Sequence, residues 1–143
     1  MTGRESVWLS EKAIKAIYEI LIARTGGTFG VLDPGMLEST LAKPKNLYYY
    51  SDRASIFRLA ATYGYGFIKN HCFVDGNKRV ALAAVAVFLI RNDYRLNASE
   101  VEAAAFFLNL ASRIESQDEG IDRLTEWIEK NSNPIEKSDP NTF

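Results

Sequence analysis

The sequence has few of the residues on which disulfide scaffolds and membrane anchors depend. Cys72 is the only cysteine and His71 the only histidine in a chain of 143 residues. A single cysteine excludes an internal disulfide and favours a reducing compartment. The longest uncharged apolar run, residues 80–90, is about half of the ~20 residues that span a bilayer, and the first dozen residues lack an apolar signal segment. These absences predict a cytoplasmic protein without a membrane partner.

The sequence also lacks a large excess of either positive or negative charge, because the net charge is −1 at neutral pH. A strong overall attraction for nucleic acid is not expected, and we predict no direct nucleic-acid binding. The distribution is uneven: residues 1–97 carry 13 Lys/Arg against 8 Asp/Glu, and residues 98–143 carry 4 against 10. We interpret the acidic part as a solvated helix face, and the basic part as a surface for an acidic partner segment that folds on binding.

Apolar periodicity and helix-capping residues predict six helices and almost no sheet. The predicted helices cover residues 10–23, 33–42, 52–69, 77–91, 99–114 and 118–130. The fourth helix is apolar on every side, which marks it as the centre of a compact all-α bundle. We expect one domain over residues 1–131, and a flexible tail over 132–143 because this segment is polar and contains two prolines.

Three consecutive tyrosines, Tyr48, Tyr49 and Tyr50, follow a proline that we expect to end the second helix. Pro44 lacks the N–H group that a helix interior needs, and the residue before a proline disfavours helical backbone. The β propensity of the tyrosines then predicts an extended connector over residues 46–51. A packed loop with buried tyrosine rings is the alternative.

The stretch richest in reactive side chains is HCFVDGNKR, residues 71–79, directly before the apolar helix. A helix that begins near Asn77 points its free N–H groups and the positive end of its dipole at the preceding loop. Gly76 leaves room for a ligand to approach, while Lys78 and Arg79 add two positive charges. The arrangement predicts a phosphate-binding site.

Two further side chains of this stretch, Asp75 and His71, predict magnesium binding and proton transfer at the phosphate site. Asp75 would hold Mg²⁺, which prefers one or two carboxylates together with substrate phosphates and water. His71 would take a proton from an attacking hydroxyl. Simpler interpretations exist for each residue: a structural histidine, an aspartate that caps the helix, and cations that are only solvated. The occurrence of all of them in nine residues favours the functional interpretation.

The same nine residues resemble the signature of the Fic/Doc (Fido) superfamily, H-x-F-x-D-G-N-K-R. Weaker likeness extends over about residues 10–130, and the small all-helical chain resembles the Doc branch, the toxins of phd/doc toxin–antitoxin modules. The resemblance implies that His71 is the general base and that Asp75 binds Mg²⁺. It further implies that the phosphates of ATP are held by Gly76, Asn77, Lys78 and Arg79.

Lys78 distinguishes two reactions within this superfamily. Fic proteins that transfer AMP typically carry a glycine at this place, whereas a lysine there is associated with transfer of the γ-phosphoryl group in the Doc branch. The resemblance therefore implies a protein kinase-like toxin that modifies a hydroxyl of elongation factor Tu and arrests translation. An AMP transferase and a catalytically silent module that only binds an antitoxin are the alternatives.

Three more expectations follow from the resemblance. Residues 45–51, with Tyr48, Tyr49 and Tyr50, would form a flap that docks the target by strand addition. Lys69 would supply a further phosphate-binding cation, or else would bind the last carbonyls of a helix. Neither Thr125…Glu129 nor Ser132…Glu136 matches the inhibitory helix of self-inhibited branches, which is consistent with a separate Phd-like antitoxin that docks as a helix near residues 71–79.

Overall fold

The computed structural model describes residues 6–51 and 54–136. This part of the chain contains six helices and two short strands: α1 (Glu11–Thr25), α2 (Pro34–Tyr50), α3 (Ile56–Lys69), α4 (Asn77–Arg91), β1 (Tyr94–Leu96), α5 (Glu100–Ser112), α6 (Gln117–Lys130) and β2 (Ser132–Pro134). The predicted all-α class and the six helices are confirmed. None of the described helices is long and apolar enough to cross a membrane.

Five of the six described helices begin at a side-chain cap. The capping residue in each case accepts a hydrogen bond from the backbone N–H group three residues later; the five caps are Ser10, Asp33, Ser55, Ser99 and Ser116. Such a bond satisfies one of the free donors at a helix start. Helix α4 differs, because it follows Gly76 without a side-chain cap. Its first N–H groups are therefore left for another partner.

The core lies between α3 and α4. Helix α3 carries nine buried residues and packs against α2, α4, α5 and α6, while α1 packs against α4. Helix α4 buries Val80, Ala84 and Phe88 among others, but Ile90 near its end is 47% exposed. The central position that the sequence predicts for α4 is thus shared with α3.

Helix α2 corrects the prediction of an extended tyrosine connector. The helix continues through the buried Pro44 and ends only at Tyr50. The ring of Trp8 explains this extension, because it lies 5.4 Å from the ring of Tyr48 and 6.5 Å from that of Tyr49. Aromatic packing and the burial of Pro44 outweigh both the lost helix hydrogen bond and the β propensity of tyrosine.

The segment expected to be a flexible tail begins with a strand. Strand β2 pairs antiparallel with β1, with Ser132 opposite Leu96 and Pro134 opposite Tyr94. Two neighbouring backbone bonds extend the pairing, from Asn97 N to Asn131 O at 2.6 Å and from Ile135 N to Asp93 O at 2.8 Å. The flexible-tail prediction is therefore wrong for residues 132–134. Residues 137–143, and Asp52 at the predicted start of the third helix, lie outside the described residues.

Candidate active site

The motif loop, residues 71–76, joins α3 to α4 and lies against the α1–α2 loop, residues 26–33. Val31 and Phe73 form an isolated antiparallel bridge. Val74 donates its backbone N–H to Gly30 O at 2.9 Å, and Leu32 donates its own to Cys72 O at 2.8 Å. Backbone pairing therefore fixes the motif loop to a second loop that is distant in the sequence.

Two side chains of the motif hold the loop to the rest of the protein. Phe73 is fully buried, and its ring stacks on that of Tyr18 at a centroid distance of 4.1 Å. The amide of Asn77 bonds the backbone of Phe73 twice: Oδ1 accepts from Phe73 N at 3.1 Å, and Nδ2 donates to Phe73 O at 2.9 Å. Asn77, predicted to bind phosphate, thus uses its side chain here to close the loop.

His71 occupies an unusual backbone conformation. Its φ of 48° lies in the left-handed region, which is uncommon for residues other than glycine but is enriched in histidine. The side chain is exposed and lines a cleft, and within the described part of the chain the imidazole has no hydrogen-bond partner. A structural donor would be bonded to the protein. Among the described residues the imidazole instead has no structural partner, and it is open to contact with a group that enters the cleft.

The carboxylate of Asp75 accepts hydrogen bonds from two backbone amides, one in the motif loop and one in the α1–α2 loop. Oδ1 accepts from Gly76 N at 2.8 Å, and Oδ2 accepts from Thr28 N at 3.4 Å. Asp75 therefore does not cap α4, contrary to the simpler interpretation of this residue. Gly76 has a φ of 80°, and a Cβ atom there would lie 3.3 Å from Ile22, so glycine suits this position on both counts.

Two cations stand in the first turn of α4, where the helix dipole disfavours them. Lys78 is exposed and has no ion-pair or hydrogen-bond partner among the described residues. Arg79 donates from Nη1 to Thr25 Oγ1 at 3.2 Å. Positive side chains beside an uncapped helix N-terminus cost free energy unless an anion binds there. This electrostatic arrangement is typical of a phosphate site.

The titratable and charged residues of the motif line a single cleft of about 490 Å³. The seven residues predicted to react or to bind phosphate and metal are all on its wall: Lys69, His71, Asp75, Gly76, Asn77, Lys78 and Arg79. The opposite wall comes from the end of α5, with Leu108, Ala111 and Ser112. The sequence prediction missed this wall, because nothing in the sequence of α5 indicates that it faces the motif.

Lys69 connects the two walls of the cleft. Its Nζ donates to Ala111 O at 3.3 Å and to Arg113 O at 3.2 Å, at the end of α5. The ammonium also lies 5.8 Å from the centroid of the Tyr65 ring. Lysine bound to the last carbonyls of a helix is a favourable arrangement. Here the carbonyls belong to α5 rather than to the helix that carries the lysine.

The three tyrosines lie far from this cleft. Tyr48 packs against Trp8, which in turn stacks on Phe88 at 6.2 Å. Phe88 follows Asn77 by 11 residues of continuous helix, or roughly 16 Å along the axis of α4. The prediction of a strand-adding flap at residues 45–51 is therefore wrong, because this segment is helical and packs near the end of α4 that is distant from the cleft.

The residues present fit a magnesium ion that is held mainly by a substrate. Within residues 6–51 and 54–136, no three His, Cys, Asp or Glu side chains come together as a metal cluster. Among the described residues, Asp75 is the one carboxylate on the cleft wall, and it lies beside the start of α4. One carboxylate suits Mg²⁺ that takes its other ligands from phosphates and water, and it does not suit a preformed metal cage.

Comparison with known proteins agrees with this geometry. A sequence profile of the Fic/DOC family matches residues 8–89, which include both loops and the start of α4. The chain is 33% identical over 84 residues to "Protein kinase doc" of Escherichia phage P1, and 36% identical over 86 residues to "Toxin Doc" of Mycolicibacterium smegmatis. Each alignment covers 59% of this chain, and 67% and 66% of the respective relatives. The chain therefore belongs to the Fic/DOC family, in its Doc branch.

Proposed function

We propose that this chain is a Doc-like toxin that transfers the γ-phosphoryl group of ATP to a hydroxyl side chain of a target protein. The observation that carries the proposal is the composition of one cleft wall. It brings together an unpartnered imidazole, a lone carboxylate and an uncapped helix N-terminus with two cations. One relative is named as a protein kinase, which supports the transfer, and the other is named as a toxin, which supports the biological role.

The phosphates of ATP would bind at the start of α4. Three backbone N–H groups of the first turn, the helix dipole and the side chains of Lys78 and Arg79 all attract an anion there. A cleft of about 490 Å³ is within the size range of small-molecule sites. Ile68, Leu108 and Ala111 supply apolar surface on the cleft wall, against which the base of the nucleotide can pack.

Asp75 would hold Mg²⁺, which neutralises charge on the phosphates when it is bound. The backbone amides of Gly76 and Thr28 already bond both carboxylate oxygens of Asp75 and so fix their direction. The amides leave further lone pairs on these oxygens, since a carboxylate accepts up to about four hydrogen bonds.

In the transfer step His71 accepts the proton of the target hydroxyl. The hydroxyl oxygen forms a bond to the γ-phosphorus, the bond from this phosphorus to the bridging oxygen breaks, and ADP leaves. Lys78, Arg79 and the first amides of α4 stabilise the negative charge that develops on the phosphate oxygens. Lys78 stands at the position where AMP-transferring Fic proteins typically carry a glycine.

The target would dock on the docking segment, which we define as residues 28–32 of the α1–α2 loop. This segment pairs with the motif loop on one side through Gly30, Val31 and Leu32. Phe29 is 61% exposed and Leu32 is 62% exposed, and both apolar side chains would contact a partner strand. The strand-adding function expected of the tyrosines is thus better placed here, next to His71.

By family resemblance the target is elongation factor Tu, whose modification would arrest translation. The resemblance also implies a Phd-like antitoxin as the inhibiting partner, which is consistent with the name "Toxin Doc" of one relative. A helix of such an antitoxin laid across residues 71–79 would cover the imidazole and the phosphate site together. The described C-terminal helix α6 ends at Lys130 and does not line the cleft, so it does not inhibit the site itself.

Label transfer from Mg·ATP tests the reaction. ATP labelled in either the α- or the γ-phosphate is incubated with the chain and with purified elongation factor Tu or a whole lysate. We expect label from the γ-position only, and none with the His71→Ala variant. Label from the α-position would assign the chain to the AMP transferases, with Lys78→Gly as the variant that examines this choice. Transfer from neither position would leave the antitoxin-binding module as the function.

A further inference from the structure

We propose that Tyr18 is the positioning residue that sets the affinity for the acceptor protein, because it holds the docking segment in register with the motif loop. This inference rests on the proposed function and adds to it a residue outside the H-x-F-x-D-G-N-K-R motif. Tyr18 lies in the middle of α1 and is fully buried, and it does not line the cleft. It would act through the backbone of the docking segment.

The hydroxyl of Tyr18 is surrounded by backbone groups of the docking segment. Oη accepts from Gly30 N at 2.9 Å and lies 3.1 Å from Gly30 O and 3.2 Å from Thr28 O. The single hydroxyl proton serves these two carbonyls, while a lone pair serves the amide. One buried side chain thus bonds the backbone of both Thr28 and Gly30 in a loop segment that forms no sheet of its own.

The ring of Tyr18 contacts both loops at the same time. It stacks on Phe29 of the docking segment at 5.1 Å and on Phe73 of the motif loop at 4.1 Å. Gly30, which bonds the hydroxyl, also accepts the backbone N–H of Val74 at 2.9 Å. The position of Gly30 relative to the motif loop therefore depends on Tyr18 as well as on the backbone pairing.

The docking segment has little intrinsic order of its own. Three glycines, Gly26, Gly27 and Gly30, stand in or next to it and increase the conformational freedom of this loop. Without the Tyr18 hydroxyl, an acceptor strand would have to order the segment on binding, and that ordering weakens affinity. His71 and the start of α4 would keep their places, because Phe73 and Asn77 hold the motif loop separately. Asp75 would lose at most the long bond from Thr28 N at 3.4 Å and would keep the bond from Gly76 N at 2.8 Å.

Tyr18→Phe removes the hydroxyl and keeps the stacked ring, and Tyr63→Phe is a matched control. Tyr63 is also fully buried, its hydroxyl also accepts a backbone N–H group, from Leu9 at 3.1 Å, and its ring packs near Phe88 rather than at the cleft. Both variants lose the bond that a backbone N–H group donates to a tyrosine hydroxyl, and Tyr18→Phe also loses the contacts of that hydroxyl with the carbonyls of Thr28 and Gly30. Only Tyr18→Phe loses it at the docking segment.

Amide hydrogen exchange and steady-state kinetics with elongation factor Tu as acceptor are measured for the wild type and both variants. In Tyr18→Phe we expect about tenfold faster exchange at the Gly30 amide and an acceptor KM about fivefold higher, with kcat and the KM for ATP within about twofold of the wild type. Tyr63→Phe should leave all of these values unchanged.

Three results would overturn the inference. The Gly30 amide could keep its exchange rate in Tyr18→Phe, or its exchange could rise while the acceptor KM stays the same, or Tyr63→Phe could raise the acceptor KM equally. In each case the wild type still transfers phosphoryl groups, so the proposed function stands. If the wild type itself transfers nothing, the proposed function fails and the inference falls with it.

Discussion

Asn77 illustrates how a motif residue can serve a phosphate site through the backbone. Its side-chain amide bonds Phe73 N at 3.1 Å and Phe73 O at 2.9 Å. These two bonds close the turn that carries Asp75 and follows His71. The free N–H groups of α4 then remain directed at the cleft, because the turn ends at a glycine rather than at a capping side chain.

We therefore predict that Asn77→Ala destabilises the protein as well as the site. Loss of two partly buried bonds should lower the free energy of unfolding by about 1–3 kcal/mol. Urea denaturation measures this change, and hydrogen exchange at the Phe73 amide should become faster in parallel. Asn109→Ala is the control, since Asn109 is exposed and its side chain bonds nothing among the described residues. Unchanged stability together with weaker ATP binding would identify Asn77 as a phosphate ligand instead.

At the residue scale, the sequence predicts which side chains form the candidate site, but it does not predict all of their contacts. The identities and spacing of His71, Asp75, Lys78 and Arg79 predict a cleft wall that the structure brings together. The partners of Lys69 are not predictable in the same way. Lys69 binds carbonyls 42 and 44 residues away, and such contacts depend on how the helices pack. Local patterns contain no information about them.

At the scale of secondary-structure elements, close packing between α3 and α6 fixes the ring of Tyr65, which lies beneath a lysine of the cleft wall. Gly120 in the first turns of α6 faces Tyr65 of α3, and a Cβ atom at this position would overlap the tyrosine ring. Tyr65 is buried, with 6% of its surface exposed, so the ring has little room to move. The same ring lies beneath the ammonium of Lys69.

Gly120→Ala should therefore destabilise the protein, although alanine is the better helix former by about 1 kcal/mol. Overpacking against Tyr65 is expected to lower the free energy of unfolding by about 1–3 kcal/mol. Gly35→Ala provides a matched control in the first turn of α2, because the nearest atom to its Cβ would be Asp33 Oδ1 at an ordinary 3.6 Å. Thermal denaturation of the two variants should show a lower Tm only for Gly120→Ala. Equal Tm values would mean that Tyr65 moves aside.

Helix starts are the most predictable elements of this fold. Ser10, Asp33 and Ser99 are caps in the sequence and in the structure, and Gly26 ends α1 with a φ of 73°. Two starts differ from the prediction: α3 begins at Ile56 after the cap Ser55 rather than at residue 52, and α6 begins at Gln117 after the capping box of Ser116 and Glu119 rather than at residue 118. The predictions at Pro44 and for the β1–β2 pair are wrong because tertiary contacts decide both structures. Trp8 packs against the part of α2 that follows Pro44, and β2 pairs with a strand that is distant in the sequence.

At the scale of the whole molecule, the two cleft walls are joined by a cluster at the α5–α6 connection. Glu115 receives a two-pronged hydrogen bond from Arg123, with Nη2 at 3.0 Å from Oε1 and Nε at 3.1 Å from Oε2. These hydrogen bonds with Arg123 are the main reason that the pKa of Glu115 lies below its ordinary value of 4.5, although burial opposes the shift. Arg113 and Lys69 add further positive charge nearby.

This shift gives the stability a pH dependence with a definite sign. A carboxyl group whose pKa is lower in the folded state stabilises the fold above its unfolded pKa and loses that contribution as the pH falls through its folded pKa. We predict that Glu115→Gln lowers the free energy of unfolding at pH 7, and that its difference from the wild type shrinks below the ordinary value of 4.5. Urea denaturation at pH 7 and at about pH 3 measures both values.

Glu129→Gln is the control for this pH dependence, because Glu129 is exposed on α6 and has no ion-pair partner in the described part of the chain. Its stability should follow that of the wild type at both pH values. A Glu115→Gln variant that is as stable as the wild type at pH 7 would show that the cluster does not hold the α5–α6 connection.

The central claim is that the cleft transfers a phosphoryl group with His71 as the base. Intact-mass spectrometry of elongation factor Tu after incubation with Mg·ATP tests it most directly. The account predicts that the acceptor gains the mass of one phosphoryl group with the wild type, and that the rate falls about 10²–10⁴-fold with His71→Ala while ATP still binds. A gain of the mass of AMP, or a His71→Ala variant as active as the wild type, would contradict it.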